Sequence, residues 1–266
     1  MSVATITAPR PRRTVFADPR IPENLQRILG TMGITTPTPI QVEAIPALLD
    51  RKDVIGQART GSGKTIAFAL PMVLACDPQI KRVQALVLVP TRELANQVAA
   101  VVSPFAAARG LKLALLYGGR SLVPERYSLL AGPQVVVATP GRALDHLRRG
   151  GLSLQSVRFF VLDEGDAMLD QGFGPDVERI LSATPSGRQT ALFSATIPEW
   201  VVSTAAKYLQ NPVTVRVDPE EAAPAEIEHT VYHMDQSVKL IALRALMDRR
   251  GAAPMLIFAR TKHGVQ

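Results

Sequence analysis

A glycine-rich loop lies between a short apolar stretch and an apolar helical stretch, and this order constrains the fold of the chain. The loop spans 58–65, follows the stretch 53–57 and precedes 66–70. Gly61 and Gly63 let the backbone curl so that consecutive N–H groups face one anion, and the helix N-terminus adds partial positive charge. This order predicts a phosphate-binding loop. Its residues are Ala58, Arg59, Thr60, Gly61, Ser62, Gly63, Lys64 and Thr65.

Two side chains at the end of this loop carry its predicted chemistry. Lys64 is expected to reach the β- and γ-phosphates of a nucleotide, and the Thr65 hydroxyl is expected to hold Mg²⁺. The loop departs from the general pattern because Ala58 stands where that pattern begins with Gly. The alternative interpretation is a Gly/Ser turn that happens to end in Lys-Thr, since short motifs also occur by chance.

The composition favours a globular protein with an anionic partner. Hydrophobic residues make up 47% of the 266 residues, which is ample for an α/β core. The net charge of +7 suits a polyanion. A single cysteine excludes an internal disulfide and a Cys-based zinc site. No apolar run approaches the roughly 18 residues that span a bilayer, so we expect no membrane association and a cytoplasmic location.

Short apolar strands alternate with helical stretches after the loop. This alternation predicts an α/β fold with a central parallel sheet that is covered by helices on both faces. Upstream helices are predicted over 22–32 and from Thr38, the N-cap, onward. The further predicted strands lie at 85–89, 111–116, 134–138, 158–162 and 190–193. The further predicted helices lie at 93–105, 121–130, 142–149, 175–182 and 199–209.

Composition also predicts the domain boundaries. Residues 1–20 form an Arg/Pro-containing tail that is either solvated or in contact with phosphates. The α/β domain is predicted to span 21–217, and an acidic, proline-containing linker 218–227. Residues 228–266 are predicted to begin a second, incomplete α/β domain. Its predicted elements are a strand at 230–234, a helix at 239–250 and a strand at 255–258.

Two adjacent acids follow the apolar stretch 158–162. Asp163 and Glu164 are therefore expected at the carboxyl end of a buried parallel strand, where α/β sheets bind ligands. A phosphate–Mg²⁺ site needs one carboxylate for the metal and often a second group to orient water. Asp163 fits the first role and Glu164 the second. A solvated acidic turn is the alternative for the pair alone, and the phosphate-binding loop upstream favours the site.

Further short motifs occur in a characteristic order along the chain. Together with the loop and the acid pair, they resemble the N-terminal half of a DEAD-box RNA helicase. The resemblance covers about 16–217, and the stretch 256–262 resembles the first motif of the family's second domain. It implies a RecA-like fold. The motifs are Phe16, 33–41, 90–95, 118–119, 139–142, 163–166 and 194–196.

The resemblance implies a role for each residue of the nucleotide site. Gln41 would hydrogen-bond the edge of adenine, and a carboxamide suits this because it both donates and accepts. Phe16 would stack on or pack against the base, unless it only covers the domain edge. ATP and Mg²⁺ are the implied cofactors. The loop holds the phosphates, Thr65 and Asp163 hold the metal, and the catalytic residues are Lys64, Asp163 and Glu164, with Glu164 as general base.

The resemblance also implies an RNA face and a coupling element. Asp166 would pair with Ser194 and Thr196 and link the nucleotide site to the interdomain contact. The implied RNA-backbone contacts are Arg92, Gly119, Thr139 and Arg142. These loops contain no aromatic side chain on which a base could stack, so we expect binding that is independent of RNA sequence. A solvated or salt-bridged side chain is the alternative for each arginine.

The chain departs from the family pattern in two places. Gly165 replaces Ala, which loosens the backbone between the acid pair and Asp166. The His-Arg-x-Gly-Arg-x-x-Arg stretch of the second domain does not occur in this sequence. Its arginines act on the γ-phosphate, and groups of this type supply about 10³–10⁵ in rate. We therefore expect this chain alone to bind ATP and RNA weakly and to be nearly inactive without the second RecA-like domain.

Three functions remain open on the sequence alone. The first is an ATP-dependent RNA helicase that unwinds short duplexes, and the second is a non-catalytic module that binds ATP and RNA. The third is a different phosphate-loop protein, either a GTPase or a DNA translocase. The GTPase lacks an Asn-Lys-x-Asp guanine reader, and Asp166 stands where related DNA helicases often carry His.

Overall fold

A seven-stranded parallel sheet forms the centre of the fold. The computed structural model describes residues 15–217, 230–250 and 255–258. The strand order is β3-β4-β2-β5-β6-β1-β7, and every paired neighbour runs parallel. The strands are β1 Val54–Gln57, β2 Ala85–Leu88, β3 Leu113–Leu116, β4 Val135–Ala138, β5 Phe159–Asp163, β6 Gln189–Ser194 and β7 Val213–Arg216.

Helices connect these strands and cover the sheet. A single 3₁₀ turn, Val15–Ala17, precedes them. The helices are α1 Glu23–Thr31, α2 Pro39–Leu49, α3 Lys64–Ala75, α4 Arg92–Ala108, α5 Val123–Leu130, α6 Pro140–Arg148, α7 Gly165–Asp170, α8 Gly174–Ser182 and α9 Glu199–Tyr208. The predicted α/β fold with a parallel central sheet is confirmed.

The sheet is buried on both faces, which explains its continuous apolar strands. In β5 the side chains alternate between two core clusters. Phe159 belongs to the cluster that contains side chains of α1 to α4. Phe160 belongs to the cluster that contains side chains of α6, α8 and α9. Both rings are fully buried, so the sequence of β5 shows no polar alternation.

Two elements of this sheet layer were not predicted. The strand β7 has only one fully buried residue, Val215, and it is an edge strand that pairs with β1 alone. The helix α7 has six residues and begins with Gly165, so it is too short to show a helical period in the sequence. Contacts with neighbouring elements stabilise both: β7 pairs with β1, and the Asp166 N–H of α7 donates to the Ser194 hydroxyl at the end of β6.

The second unit, Ala222–Gln266, contains one α-helix within its described ranges. The predicted helix at 239–250 is confirmed as α10, Lys239–Arg250. The predicted strands at 230–234 and 255–258 are wrong, because a strand requires a paired neighbour and neither range pairs with one in the part of the chain that is described. The tail at 1–14, the linker at 218–227 and the motif residues 259–262 lie outside the described residues.

None of the helices described above could cross a membrane. Over 15–217, 230–250 and 255–258, no helix combines the length and the apolar character needed to span a bilayer.

The close approach of β1 to β6 gives a stability prediction. A Cβ at Gly56 would collide with the Phe193 ring, and that ring is fully buried against Phe68, 5.7 Å away between ring centroids. We expect Gly56→Ala to lower the free energy of unfolding by about 1–3 kcal/mol, the usual range for overpacking a core. Urea denaturation measures it.

The matched control is Gly30→Ala. Gly30 lies near the end of α1 and is exposed, and a Cβ added there would have no other atom within 4 Å. Since Ala is the better helix former, this change should raise the free energy of unfolding by up to about 1 kcal/mol. Equal effects of the two substitutions would contradict the steric role of Gly56.

Candidate functional site

The predicted phosphate loop and acid pair lie at the same edge of the sheet. β1 pairs with β6 and β6 pairs with β5, all in parallel, so their carboxyl ends lie side by side. The chain leaves β1 and returns in β2, beyond both β6 and β5. Parallel sheets bind ligands at such a switch in strand order.

The loop backbone has the curl that its glycines predict. Gly61 has φ 83° and Gly63 has φ 90°, both in the left-handed region. Gly63 caps α3, and its lack of a side chain leaves the first N–H groups of that helix without a side-chain acceptor. Within the described residues the buried Ser62 hydroxyl also has no hydrogen-bond partner. A phosphate group therefore fits this loop, because it would accept from these unpaired donors.

Protein groups hold the loop from two sides. The Lys64 side chain is 5% exposed, and its Nζ donates to the Ala58 carbonyl at 3.0 Å. Gln41 Nε2 donates to the Gly63 carbonyl at 3.0 Å, and Gln41 Oε1 accepts from the Thr38 N–H at 2.9 Å. Gln41 is almost fully buried. The Thr-x-x-Gln spacing is typical of a helix capping box. It is the sequence signal for the contact between Gln41 and the Thr38 N–H.

The acid pair combines a buried carboxylate with a strained neighbour. Asp163 is 2% exposed, and burial raises its pKa to about 6, while the Lys64 charge lowers the pKa and the Glu164 charge raises it. Glu164 has φ 58°, a left-handed conformation that is uncommon outside glycine and recurs at functional sites. The Glu164 N–H donates to Asp163 Oδ1 at 3.1 Å.

A direct hydrogen bond joins the loop to the acid pair. The Thr60 hydroxyl donates to Glu164 Oε1 at 2.8 Å. The two residues are 104 positions apart in sequence, and the left-handed backbone of Glu164 accompanies this contact. The phosphate-binding loop and the second acid therefore belong to one site.

A third strand end connects to this site through Asp166. The Asp166 N–H donates to the Ser194 hydroxyl at 3.1 Å. Asp166 Oδ2 accepts from the N–H and the hydroxyl of Thr196, at 2.8 and 2.9 Å. Burial raises the pKa of Asp166, but the hydrogen bonds from Thr196 and Ser194 outweigh it, so the pKa lies below its usual value. These contacts link the acid stretch to the end of β6.

The site falls within a known protein family. The family model for DEAD/DEAH box helicases matches residues 38–204. The chain belongs to the DEAD/DEAH box helicase family. The matched range contains the phosphate loop, the acid pair and the end of β6, so the site described above lies inside the region that defines the family.

Similar proteins of known sequence or structure support this family membership. The Escherichia coli K12 protein "ATP-dependent RNA helicase DeaD" is 43% identical over 251 residues, covering 94% of this chain and 40% of that protein. Its Mycobacterium tuberculosis H37Rv namesake is 44% identical over 260 residues, covering 97% and 46%. The crystal structure of a DEAD box protein from Methanococcus jannaschii has a TM-score of 0.74 at 37% identity, covering 87% of this chain and 62% of that chain.

These likenesses confirm the predicted RecA-like fold. The chain spans less than half the length of the two curated helicases, at 40% and 46%.

Phe16, the predicted base contact, lies beside the core cluster that contains side chains of α1 to α4. Phe16 is partly buried in the 3₁₀ turn Val15–Ala17 and packs against that cluster. Gly165, the departure from the DEAD-box pattern, has room for a methyl group: a Cβ would lie 3.6 Å from Val201 and 3.7 Å from Leu162. Nothing in the packing therefore requires Gly at this position.

The structure brings two of the four predicted RNA contacts together. A Cβ at Gly119 would lie 3.9 Å from Arg92 Nη1, and Gly119 has φ 81°. The Arg92 side chain is 56% exposed and pairs with Glu93 at 3.0 Å. Thr139 precedes α6 as its N-cap and is 9% exposed. Arg92 and Gly119 therefore lie side by side on an accessible surface.

Arg142 has a different environment. Its side chain is 9% exposed, with Nη1 donating to Glu125 Oε2 at 3.0 Å and Nη2 to the Arg120 carbonyl at 2.9 Å. Glu125 is almost fully buried and also contacts Arg120 and His146. Burial raises the pKa of Glu125, but hydrogen bonds from His146, Arg120, Tyr117 and Arg142 lower it below its usual value. Sequence reasoning missed Glu125, because α5 gives no signal that one of its acids points inward.

The buried Asp163 gives a pH prediction. Because burial raises its pKa from 3.8 to about 6, the folded protein binds this proton more tightly than the unfolded chain, and stability falls as pH rises through that window. Asp163→Asn cannot ionise. We expect the free energy of unfolding of Asp163→Asn to exceed that of the parent protein by an amount that grows with pH. The difference should rise from near zero at pH 4 to about 3 kcal/mol at pH 7, at about 1.4 kcal/mol per pKa unit.

Urea denaturation at several pH values measures this difference. The control is Asp170→Asn, which removes an exposed carboxylate from the end of α7. An advantage for Asp163→Asn that is independent of pH, or one that the control shares, would contradict the role of burial.

Proposed function

We propose that this chain is the nucleotide-binding part of an ATP-dependent RNA helicase and that it binds ATP with Mg²⁺ and the backbone of RNA. The observation that carries the proposal is the Thr60–Glu164 hydrogen bond, which joins a phosphate loop to an acid pair in a chain of the DEAD/DEAH box family. The similar proteins named RNA helicases support the substrate class.

In this proposal the loop N–H groups bind the phosphates, and Lys64 exchanges its bond with the Ala58 carbonyl for one with a phosphate. The Thr65 hydroxyl and the Asp163 carboxylate would hold the metal. Mg²⁺, when bound, neutralises negative charge on the phosphates. Since metal binding requires the ionised carboxylate, it favours loss of the proton that burial retains on Asp163.

Glu164 is the proposed general base. Its Oε1 accepts a hydrogen bond from the Thr60 hydroxyl, and the other lone pairs of the carboxylate can accept a hydrogen bond from a water molecule. The carboxylate then orients the water and accepts its proton. Thr60 therefore has a positioning role, because it holds the Glu164 side chain against the phosphate loop.

We propose that Gln41 and Phe16 recognise adenine. The Gln41 carboxamide uses one N–H and one oxygen lone pair within the protein, which leaves one donor and one acceptor for the edge of the base. Phe16 supplies an apolar ring next to the core. In this arrangement Gln41 contacts both the base and the phosphate loop, because its Nε2 also donates to the Gly63 carbonyl.

For RNA we propose that Arg92, Gly119 and Thr139 contact phosphates, through a guanidinium, a backbone N–H and a hydroxyl. Arg142 acts through Glu125 by fixing the loop that carries Arg120. The set contains no aromatic side chain, which supports binding independent of RNA sequence. We also propose a cytoplasmic location.

Helicase activity is proposed for the whole protein. The contacts of Asp166 with Ser194 and Thr196 would transmit the state of the nucleotide to a second RecA-like domain, which residues 228–266 begin and which completes the site.

Lys64→Ala tests the nucleotide site. The substitution removes the cation from the loop, and a hydrogen bond to a charged group contributes about 1.5–3 kcal/mol. We therefore expect the affinity for Mg-ATP to fall about 10- to 100-fold, measured by isothermal titration calorimetry. Lys207→Ala is the control, because Lys207 is an exposed lysine that pairs with Glu178 away from the loop. Unchanged ATP affinity in Lys64→Ala would sink the proposal.

A further inference from the structure

Arginines line the edge of the sheet opposite the phosphate loop. Arg82, Arg158, Arg188 and Arg51 lie just before β2, β5, β6 and β1. These four strands are consecutive neighbours in the sheet. With strands about 4.8 Å apart, the four positions extend over about 14 Å. Since all the strands are parallel, this edge holds their amino ends and the nucleotide site holds their carboxyl ends.

Three adjoining cavities follow this edge. The largest has a volume of about 470 Å³ and is lined by Arg82, Arg158 and Arg188. A second, of about 310 Å³, shares Arg158 and Arg188 with it and adds Arg51. A third, of about 250 Å³, shares Arg82 and adds Lys81. The shared residues make the three cavities one continuous groove, which we call the basic-edge groove.

The exposed cations of this groove lack protein partners. Arg82 and Arg158 are exposed, and neither side chain has a hydrogen bond or an ion pair among the residues that the structure describes. The same holds for Lys81. The acid Asp53 lines the groove, but its two oxygens accept from the N–H groups of Thr190 and Gln210, at 2.7 and 2.6 Å. The charge of Asp53 acts on Arg188. No other acid among the described residues lines the three cavities, so the charges of Arg82, Arg158 and Lys81 have no acidic partner there.

A buried arginine forms the floor of the groove. Arg188 is 7% exposed, and its Nη1 and Nη2 donate to the carbonyls of Pro185 and Tyr208. Its Nε has no hydrogen-bond partner within the described ranges. Burial lowers the pKa of Arg188 and the nearby Asp53 raises it, but a guanidinium stays charged in proteins. Arg188 therefore adds a fixed positive charge to the cavity lining, part of which Asp53 balances.

We propose that the basic-edge groove binds the phosphodiester backbone of a second segment of RNA. Guanidinium groups pair with phosphates in a forked geometry, and a line of cations along a continuous groove suits a chain of phosphates better than a single ion. No aromatic side chain lines the three cavities, so the groove binds the backbone and not the bases. The site lies away from Arg92 and Gly119, and it binds RNA whether or not nucleotide is present.

The double variant Arg82→Ala/Arg158→Ala tests this site. The probe is a single-stranded oligouridine of about 20 nucleotides, followed by fluorescence anisotropy at several salt concentrations. Because each lost phosphate contact on a single strand reduces the salt slope by about 0.7, we expect the slope to fall by about 1.4 and the affinity by at least fivefold. Mg-ATP affinity should stay unchanged, which shows that the fold is intact.

The matched control is Arg27→Ala/Arg126→Ala. Both residues are exposed and lie outside the groove, and the change in net charge is the same. We expect the control to retain the parent slope. Equal slopes in the two double variants would overturn the proposal, because general charge would then explain any loss.

Hydrogen exchange locates the RNA. We expect the oligouridine to protect 80–83 and 155–158, and this protection should persist in Arg92→Ala. Absence of protection in these segments would overturn the proposed RNA site. Protection by polyglutamate without protection by RNA would also overturn it. Loss of ATP binding in Lys64→Ala tests the nucleotide site separately, so the groove and the proposed nucleotide function can fail independently.

Discussion

Three protein contacts fix the phosphate loop, and the geometry of the site depends on them. Lys64 Nζ holds the Ala58 carbonyl, Gln41 Nε2 holds the Gly63 carbonyl, and the Thr60 hydroxyl holds Glu164. Each contact spans a different part of the loop. Together they hold the loop in its left-handed turns at Gly61 and Gly63, which saves the entropy of ordering the loop when a ligand binds.

The same site contains features that oppose stability. Asp163 is buried with a raised pKa, and Glu164 occupies a left-handed conformation that costs on the order of 1–3 kcal/mol for residues other than glycine. The packed sheet on either side supplies the compensation, because β5 is buried over its whole length. A metal ion at this position would favour the ionised form of Asp163. The two residues that cost stability, Asp163 and Glu164, are therefore the ones to which we assign the chemistry.

Much of the fold and of the site could be predicted from the sequence. The apolar run of β5 and the loop after β1 have strong local patterns. The position of the acid pair at the edge of the sheet could be predicted because the carboxyl ends of parallel strands lie at one edge. The edge strand β7 and the short helix α7 could not be predicted, because neighbouring elements determine them. The buried Glu125 and the line of arginines before β2, β5, β6 and β1 also depend on strand order, which brings residues distant in sequence to one edge.

The most direct test of the central claim is a double-mutant cycle between Thr65→Val and Asp163→Asn, with Mg-ATP affinity measured by calorimetry at several Mg²⁺ concentrations. If the loop and the acid share one metal, each substitution should weaken the Mg²⁺ dependence. The two losses should then be non-additive by about 0.5–3 kcal/mol, the range for residues that interact. Additive losses, or an unchanged Mg²⁺ dependence, would contradict a single site formed by the loop and the acid pair.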